Sequence, residues 1–183
     1  MTEKARIFFA LEIPLPIKRL MIRSFADLGL MTPLKPAAPE YMHLTLKFWP
    51  MFSMRELPEL IKALTLVADQ SKPVPLLFNK AEIFGGKTAR ALVLSTVVSE
   101  ELGELRELLE QTLVQQHLAD PEPRLFRPHV TIARPTATLS AADKIKFLKC
   151  RVDLETESSR LTLYESRRTP HGREYDPLLE LPL

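Results

Sequence analysis

The sequence predicts an α+β fold in which two similar lobes, each an antiparallel sheet flanked by helices, face each other across a central cleft with pseudo-two-fold symmetry. Three observations lead there. Strand-like segments and capped amphipathic helices follow one another along the whole chain. A His-x-Thr motif occurs twice, at His43–Thr45 and His129–Thr131. Each copy follows a helix and a proline-rich loop, and each precedes a capped helix ten or eleven positions later. The 86-residue spacing between the copies is far too long for a solenoid repeat. All 183 residues are therefore expected to form a single domain with two pseudo-repeated lobes.

The elements follow from local pattern. Ala5 to Glu12, rich in aromatic and branched residues, reads as a buried strand. Pro14 and Pro16 open a helix, where proline is tolerated, and Ile17, Leu20, Met21, Phe25 and Leu28 supply its periodicity. A loop with Pro33, Pro36 and Pro39 leads to a strand over His43–Phe48. Ser53 with Glu56 has the spacing of a capping box, and Leu57, Leu60, Ile61, Leu64 and Val67 line one face of the helix behind it. Strands are expected about Pro75–Phe84 and Ala89–Val98, joined by a turn at Gly85-Gly86. Ser99 caps a helix carrying Leu105, Leu108, Leu109, Thr112 and Leu113. Pro121, Pro123 and Pro128 then lead into the strand at His129–Ile132. Ser140 with Asp143 caps a short helix, and Arg160–Glu165 is a closing strand.

Composition narrows the class. Twenty-five Lys and Arg against 23 Asp and Glu leave a net charge of +2, too small for a dedicated duplex-binding surface. Any nucleic-acid contact should be local, around a pocket. The one cysteine, Cys150, has no partner for a disulfide and no neighbour at metal-ligand spacing, so it reads as a small core residue. Met1-Thr2-Glu3-Lys4 leads straight into a strand without a signal pattern, and no apolar run is long enough to span a bilayer. The expected location is cytoplasmic.

The repeated motif carries the chemistry. In a strand, residues two apart share a face. His43 and Thr45 point one way with Leu44 and Leu46 opposite; His129 and Thr131 repeat this against Val130 and Ile132. Four histidines and thirteen threonines in 183 residues give about 0.3 chance matches, so one copy means nothing and two in parallel contexts mean a good deal. In-line displacement at phosphorus needs one group to take a proton from the nucleophile and another to give one to the leaving oxygen. Histidine suits both tasks, its ordinary pKa being about 6.5. Threonine hydroxyls can donate to the non-bridging phosphate oxygens. No His-Glu-x-x-His and no carboxylate cluster accompanies the histidines, so neither metal nor cofactor is expected.

Several stretches resemble the bacterial and archaeal RNA 2′,3′-cyclic phosphodiesterases, also called 2′-5′ RNA ligases, among the two-histidine (2H) phosphoesterases. They are Arg6–Ala10, His43–Phe48, Phe126–Arg134, Leu161–Ser166 and Gly172–Tyr175 followed by Leu178, in the right order along nearly the whole chain. The resemblance implies a bilobal fold with a central cleft. It also implies opening of terminal 2′,3′-cyclic phosphates to 2′-phosphates, sometimes with reversible 2′-5′ ligation. By the same resemblance His43 is the proton donor, His129 the proton acceptor, Thr45 and Thr131 hold the phosphate, Arg134 supports it and Phe48 lines the base pocket. Where the family often continues its first motif with Leu-Gly, this chain has Trp49-Pro50-Met51-Phe52, implying a bulkier, stiffer loop. The implied partners are RNA with a 2′,3′-cyclic phosphate end or cyclic nucleotides, with no membrane, for a protein acting as a monomer.

Other residues carry weaker expectations. Lys47 and Arg127 share strand parity with the histidines, which points both to the cleft rim and makes Arg127 a substrate-binding candidate. Arg134 lies three residues beyond Thr131, so an ideal strand would turn it away; its role needs a bend after Ala133. His117 suits a helix end, Trp49 suits the core, and His171 sits in a basic turn beside Arg167, Arg168 and Arg173. Two other functions fit the motif: a 2H enzyme acting on a small cyclic nucleotide or a 2′-5′ oligonucleotide, and a 2H protein that binds nucleotides or RNA without turnover. A proton-transfer pair argues against the second, because binding alone has no need of one.

Overall fold

The structure, a computed structural model, describes residues 3–86, 88–170 and 172–183; His171, in the basic turn, lies outside them. In chain order the strands are β1 (Lys4–Glu12), β2 (Leu34–Pro36), β3 (His43–Ser53), β4 (Val74–Phe84), β5 (Ala91–Thr96), β6 (His129–Pro135), β7 (Leu154–Ser158), β8 (Arg160–Thr169) and β9 (Gly172–Pro182). The helices are α1 (Leu15–Ala26), α2 (Leu57–Asp69), α3 (Glu100–Gln115) and α4 (Ala141–Leu148). The sheet runs β7-β4-β5-β6-β3-β1-β8-β9, antiparallel throughout, with β2 beside β6.

The two sheets expected from the sequence are two four-stranded halves of this one curled sheet. They meet at a single residue pair, Leu44 of β3 opposite Val130 of β6. One half, β7-β4-β5-β6, is a continuous stretch of chain; the other takes β1 and β3 from the N-terminal part and β8 and β9 from the C-terminal part. The lobes are therefore similar in motif but are not successive halves of the sequence. Leu44 and Val130, both fully buried, face a shared core with Ile7, Phe9 and Leu11 of β1, Leu92 and Leu94 of β5, and Leu60, Leu64, Leu105 and Leu109 of α2 and α3. No helix among the described residues is long and apolar enough to cross a membrane.

Helix starts separate true caps from apparent ones. Ser99 Oγ accepts from the Leu102 N–H at 3.2 Å, and Ser140 Oγ from the Asp143 N–H at 3.0 Å. Ser53 makes no such bond: Met54–Glu56 form a 3₁₀ turn, and α2 begins at Leu57 with Pro58 in its first turn. Proline's fixed φ and missing N–H do the work assigned to the Ser53–Glu56 box. The segment after Phe48 is not a loop either. Trp49 continues β3 opposite Ile7, is buried, and its Nε1–H donates to the Leu118 carbonyl at 2.9 Å. Pro50 is accommodated because the β1–β3 register slips between Ile7 and Ala5, as proline requires inside a sheet.

That carbonyl is presented by the end of α3. The Leu118 N–H donates to the Leu113 carbonyl and the His117 N–H to Val114, the paired bonds of a Schellman motif. The motif needs a left-handed residue after the C-cap, and His117 takes it with φ 57°. A side chain there is strained, where glycine would not be. His117→Gly should raise the unfolding free energy by roughly 1 kcal/mol, read by denaturant titration. An unchanged or lowered value would contradict a strained cap.

Candidate active site

Antiparallel partners step in opposite directions, so the Leu44–Val130 pair sets His43 beside Thr131 and Thr45 beside His129. The aliphatic pair faces the core, and all four motif side chains share the opposite face. The two motifs cross at their middle residues, and this makes one site of them.

A β-bulge then follows each motif. Ala10 and Phe9 of β1 face Thr45 and Lys47, leaving Leu46 as an extra residue. Val93 and Leu92 of β5 face Thr131 and Ala133, leaving Ile132 extra. An extra residue reverses the inside–outside parity of everything beyond it. Phe48 and Arg134, each five places after its histidine, therefore turn back into the cleft. For Arg134 the required bend is the bulge at Ile132, just before Ala133. The same reversal sends Lys47 the other way, against its expected place on the rim. Lys47 is buried, with Nζ 3.2 Å from Glu110 Oε2 and 3.3 Å from the Asp120 carbonyl. Arg127 does not join the site either. It precedes β6, and its guanidinium bonds Glu82 Oε1 at 3.1 Å and lies 4.3 Å above the Phe84 ring, outside the cavity wall.

The cleft is a cavity of about 460 Å³. His43, Thr45, His129 and Thr131 lie in its wall, with Phe8, Tyr41, Phe48 and Tyr175 as aromatic surface. Four cations, Arg6, Lys35, Arg134 and Arg173, also line it, and among the described residues no carboxylate does. A small net charge thus conceals a strongly basic cavity. Among the described residues no three His, Cys, Asp or Glu side chains are gathered as a metal site.

A backbone carbonyl orients His129, and aromatic rings hold His43. His129 Nδ1 is 2.7 Å from the Arg127 carbonyl, which can only accept, so Nδ1 carries the hydrogen and Nε2 keeps its lone pair. The Tyr41 carbonyl, likewise two residues upstream, weakly favours the charged form of His43. Phe8 stacks on the His43 ring at 4.5 Å, and Tyr175 meets it edge-on at 5.4 Å. Burial in this aromatic cage, with the charges of Lys18, His129 and Arg134, pushes His43 down to about 3. Burial also lowers His129, aided by Arg127 and Arg134 and opposed by the Arg127 carbonyl and Glu82. In the ligand-free protein both rings are neutral at pH 7, so His43 does not yet hold the second proton that a donor needs.

A carboxylate–hydroxyl pair lies beside each histidine. Glu12 stands opposite His43 in the sheet, accepts from the Tyr164 hydroxyl at 2.6 Å and holds Lys18 at 3.5 Å. Ser95 stands opposite His129, donates to Glu82 at 2.6 Å, and Glu82 in turn holds Arg127. The sequence assigns no cleft role to these partners, nor to Arg6, Lys35, Tyr41, Ser166 and Tyr175 in the cavity wall; Arg173 enters only as part of the basic turn. The alternation Arg6-Ile7-Phe8-Phe9 carries a signal that Arg6 and Phe8 share a face; Lys35 and Tyr41, in a proline-rich connection, carry none.

The profile of the 2′-5′ RNA ligase superfamily matches residues 33–170. No curated protein matches the sequence. Among solved structures, TT0787 of Thermus thermophilus superposes with a TM-score of 0.84 at 23% identity, covering 97% of each chain. E. coli LigT complexed with 3′-AMP gives 0.73 at 23% identity, covering 100% of this chain and 99% of that one. The MHV ns2 PDE domain gives 0.64 at 15% identity, over 87% and 99%. These likenesses establish the fold. With a profile match over most of the chain and two crossed His-x-Thr strands on such a fold, the chain belongs to the 2′-5′ RNA ligase superfamily of two-histidine phosphoesterases.

Proposed function

We propose that the protein hydrolyses RNA 2′,3′-cyclic phosphate termini to 2′-phosphomonoesters without a metal, and that the same site can run the reverse 2′-5′ ligation. One observation carries this reading. The crossing at Leu44–Val130 places two histidines and two threonine hydroxyls around one space, in a cavity lined by cations and aromatic rings. At about 460 Å³ the cavity is in the range of small-ligand sites and suits a single nucleotide, the end of a strand or a free cyclic nucleotide. The E. coli LigT complexes with 3′-AMP and with ATP point the same way.

The proposed steps use this geometry. The Nε2 lone pair of His129 takes a proton from water as its oxygen attacks phosphorus. The bond to the 3′ oxygen breaks on the opposite side, and His43 gives that oxygen a proton. Thr45, Thr131 and Arg134 hold the charge on the non-bridging oxygens. His43 becomes a donor only when the anionic substrate is bound: a negative charge beside the ring favours imidazolium and offsets the cations and burial that keep it neutral. The choice of the 3′ oxygen as leaving group rests on likeness to the family, since reversing the substrate would exchange the two roles.

Purified protein, assayed in EDTA on an RNA ending in a 2′,3′-cyclic phosphate, should yield a 2′-phosphate by phosphorus NMR. His43→Ala and His129→Ala should each lose at least ~10²-fold in turnover while staying folded. Near-normal turnover in a folded His129→Ala variant would remove that residue from the mechanism. A 3′-phosphate product would reverse the acid and base assignments.

The protonation argument has its own test. In nitrogen-detected NMR titration, His43 of the free protein should stay neutral at pH 5, and saturating inorganic phosphate should raise its midpoint. The sign for stability follows: the unfolded chain takes up this proton below its ordinary value of 6.5, and the folded chain refuses it until about 3, so stability falls as pH drops through that window. A His43 that titrates near 6.5 without phosphate would contradict this.

A further inference from the structure

Resting on the phosphodiesterase reading, we propose a second anion site at the cleft, formed by Arg6, Arg173 and Lys35 of its wall with Arg168 beside them. It takes the 5′-phosphate of the nucleotide whose 2′,3′ end is opened.

Like charges directly opposite one another across antiparallel strands are destabilising. This sheet holds two such pairs, one with both members in the cavity wall and one with Arg173 in the wall and the exposed Arg168 outside it, two places along β8 from the wall residue Ser166. Lys35 of β2 stands opposite Arg134 of β6, and Arg168 of β8 stands opposite Arg173 of β9. Among the described residues, none of these four, nor Arg6, forms an ion pair with a carboxylate. Acids are available on the same hairpin but lie on its other face: Arg167, one place before Arg168, is paired with Asp176. The cleft face has been left uncompensated, and a repelling group that persists without a counter-charge calls for an anionic ligand.

The cations divide into two groups. Arg134 is close enough to depress both imidazoles, so it belongs with the reacting phosphate. Arg6 lies over the Phe48 ring at 4.2 Å, and after burial its guanidinium is lowered chiefly by Arg173, with Arg168 adding to it. A phosphate at the histidines would leave this second group unneutralised. The hairpin comes close to Lys35 at Gly172, whose φ of +135° suits glycine and where a Cβ would sit 3.3 Å from Lys35 Nζ. Lys35 thus stands between the two groups. A nucleotide closed into a 2′,3′-cyclic phosphate has one remaining ribose oxygen that carries phosphate in RNA, the 5′ oxygen. The ligand is either a 5′-monoester or the diester to the preceding nucleotide.

Calorimetry on the intact protein separates the cases, with adenosine 2′-phosphate, adenosine 2′,5′-bisphosphate and the dinucleotide ApA ending in a 2′-phosphate as probes. The second and third should bind at least about tenfold more tightly than the first, the scale of a charge-assisted hydrogen bond. The double variant Arg168→Gln/Arg173→Gln should lose most of that ratio, with a Tm no lower than the parent's because a repelling pair has been removed. Preference for the dinucleotide alone would assign the site to the diester; preference for both assigns it to phosphate from either source. Equal affinity for all three would overturn the proposal. So would a dinucleotide gain that survives in the double variant, since it would come from the second base. Turnover of the cyclic substrate is measured separately, so a protein that shows the binding ratio without turnover would refute the phosphodiesterase reading and leave the second site standing.

Discussion

Everything at the cleft depends on one aliphatic contact, Leu44 against Val130. It is the single pair joining β3 to β6, and both side chains are fully buried. Loss of a buried leucine of this kind costs about 2–5 kcal/mol in general. Here the larger consequence is geometric. The pair fixes the register in which His43 meets Thr131 and Thr45 meets His129, and a slip of one residue would turn one whole motif into the core. Apolar packing on one face of the sheet thereby positions acid–base groups on the other.

The pseudo-symmetry reaches beyond the motif. Each histidine has a bulge three residues downstream and a cleft-facing side chain five residues downstream. Each also lies beside a carboxylate–hydroxyl pair, with the two partners exchanged: carboxylate on the adjacent strand for His43, hydroxyl on the adjacent strand for His129. The symmetry ends where the roles differ. The fifth residue is aromatic after His43 and a guanidinium after His129, so one side of the cleft offers a ring and the other a charge. The aromatic cage closes on His43, the more strongly depressed of the pair, while Nε2 of His129 is left with a free lone pair.

The strands, most helix faces and the four motif residues were legible because they rest on period-two and period-3.6 patterns, which a short window of sequence contains. The bulges were not. Leu46 and Ile132 look like ordinary alternating core positions, and only their partners on β1 and β5 show them to be extra. Parity counted through them therefore misplaces Lys47 and predicts the wrong face for Arg134. The same parity, carried past the start of β6, puts Arg127 on the rim, whereas its guanidinium is drawn to Glu82 and the Phe84 ring. The origin of the first lobe in two separate pieces of chain, and the convergence of Arg6, Lys35 and Arg173 from β1, β2 and β9, are long-range pairings that no local pattern encodes.

The measurement closest to the central claim is a crystal structure with a nucleoside 2′-phosphate in the cleft. The account predicts one phosphorus held between the two imidazoles, with Nε2 of His129 on one side, His43 on the other, and both threonine hydroxyls within hydrogen-bond distance of its oxygens. A phosphate engaged by only one His-x-Thr strand, with the other motif turned to solvent, would contradict it.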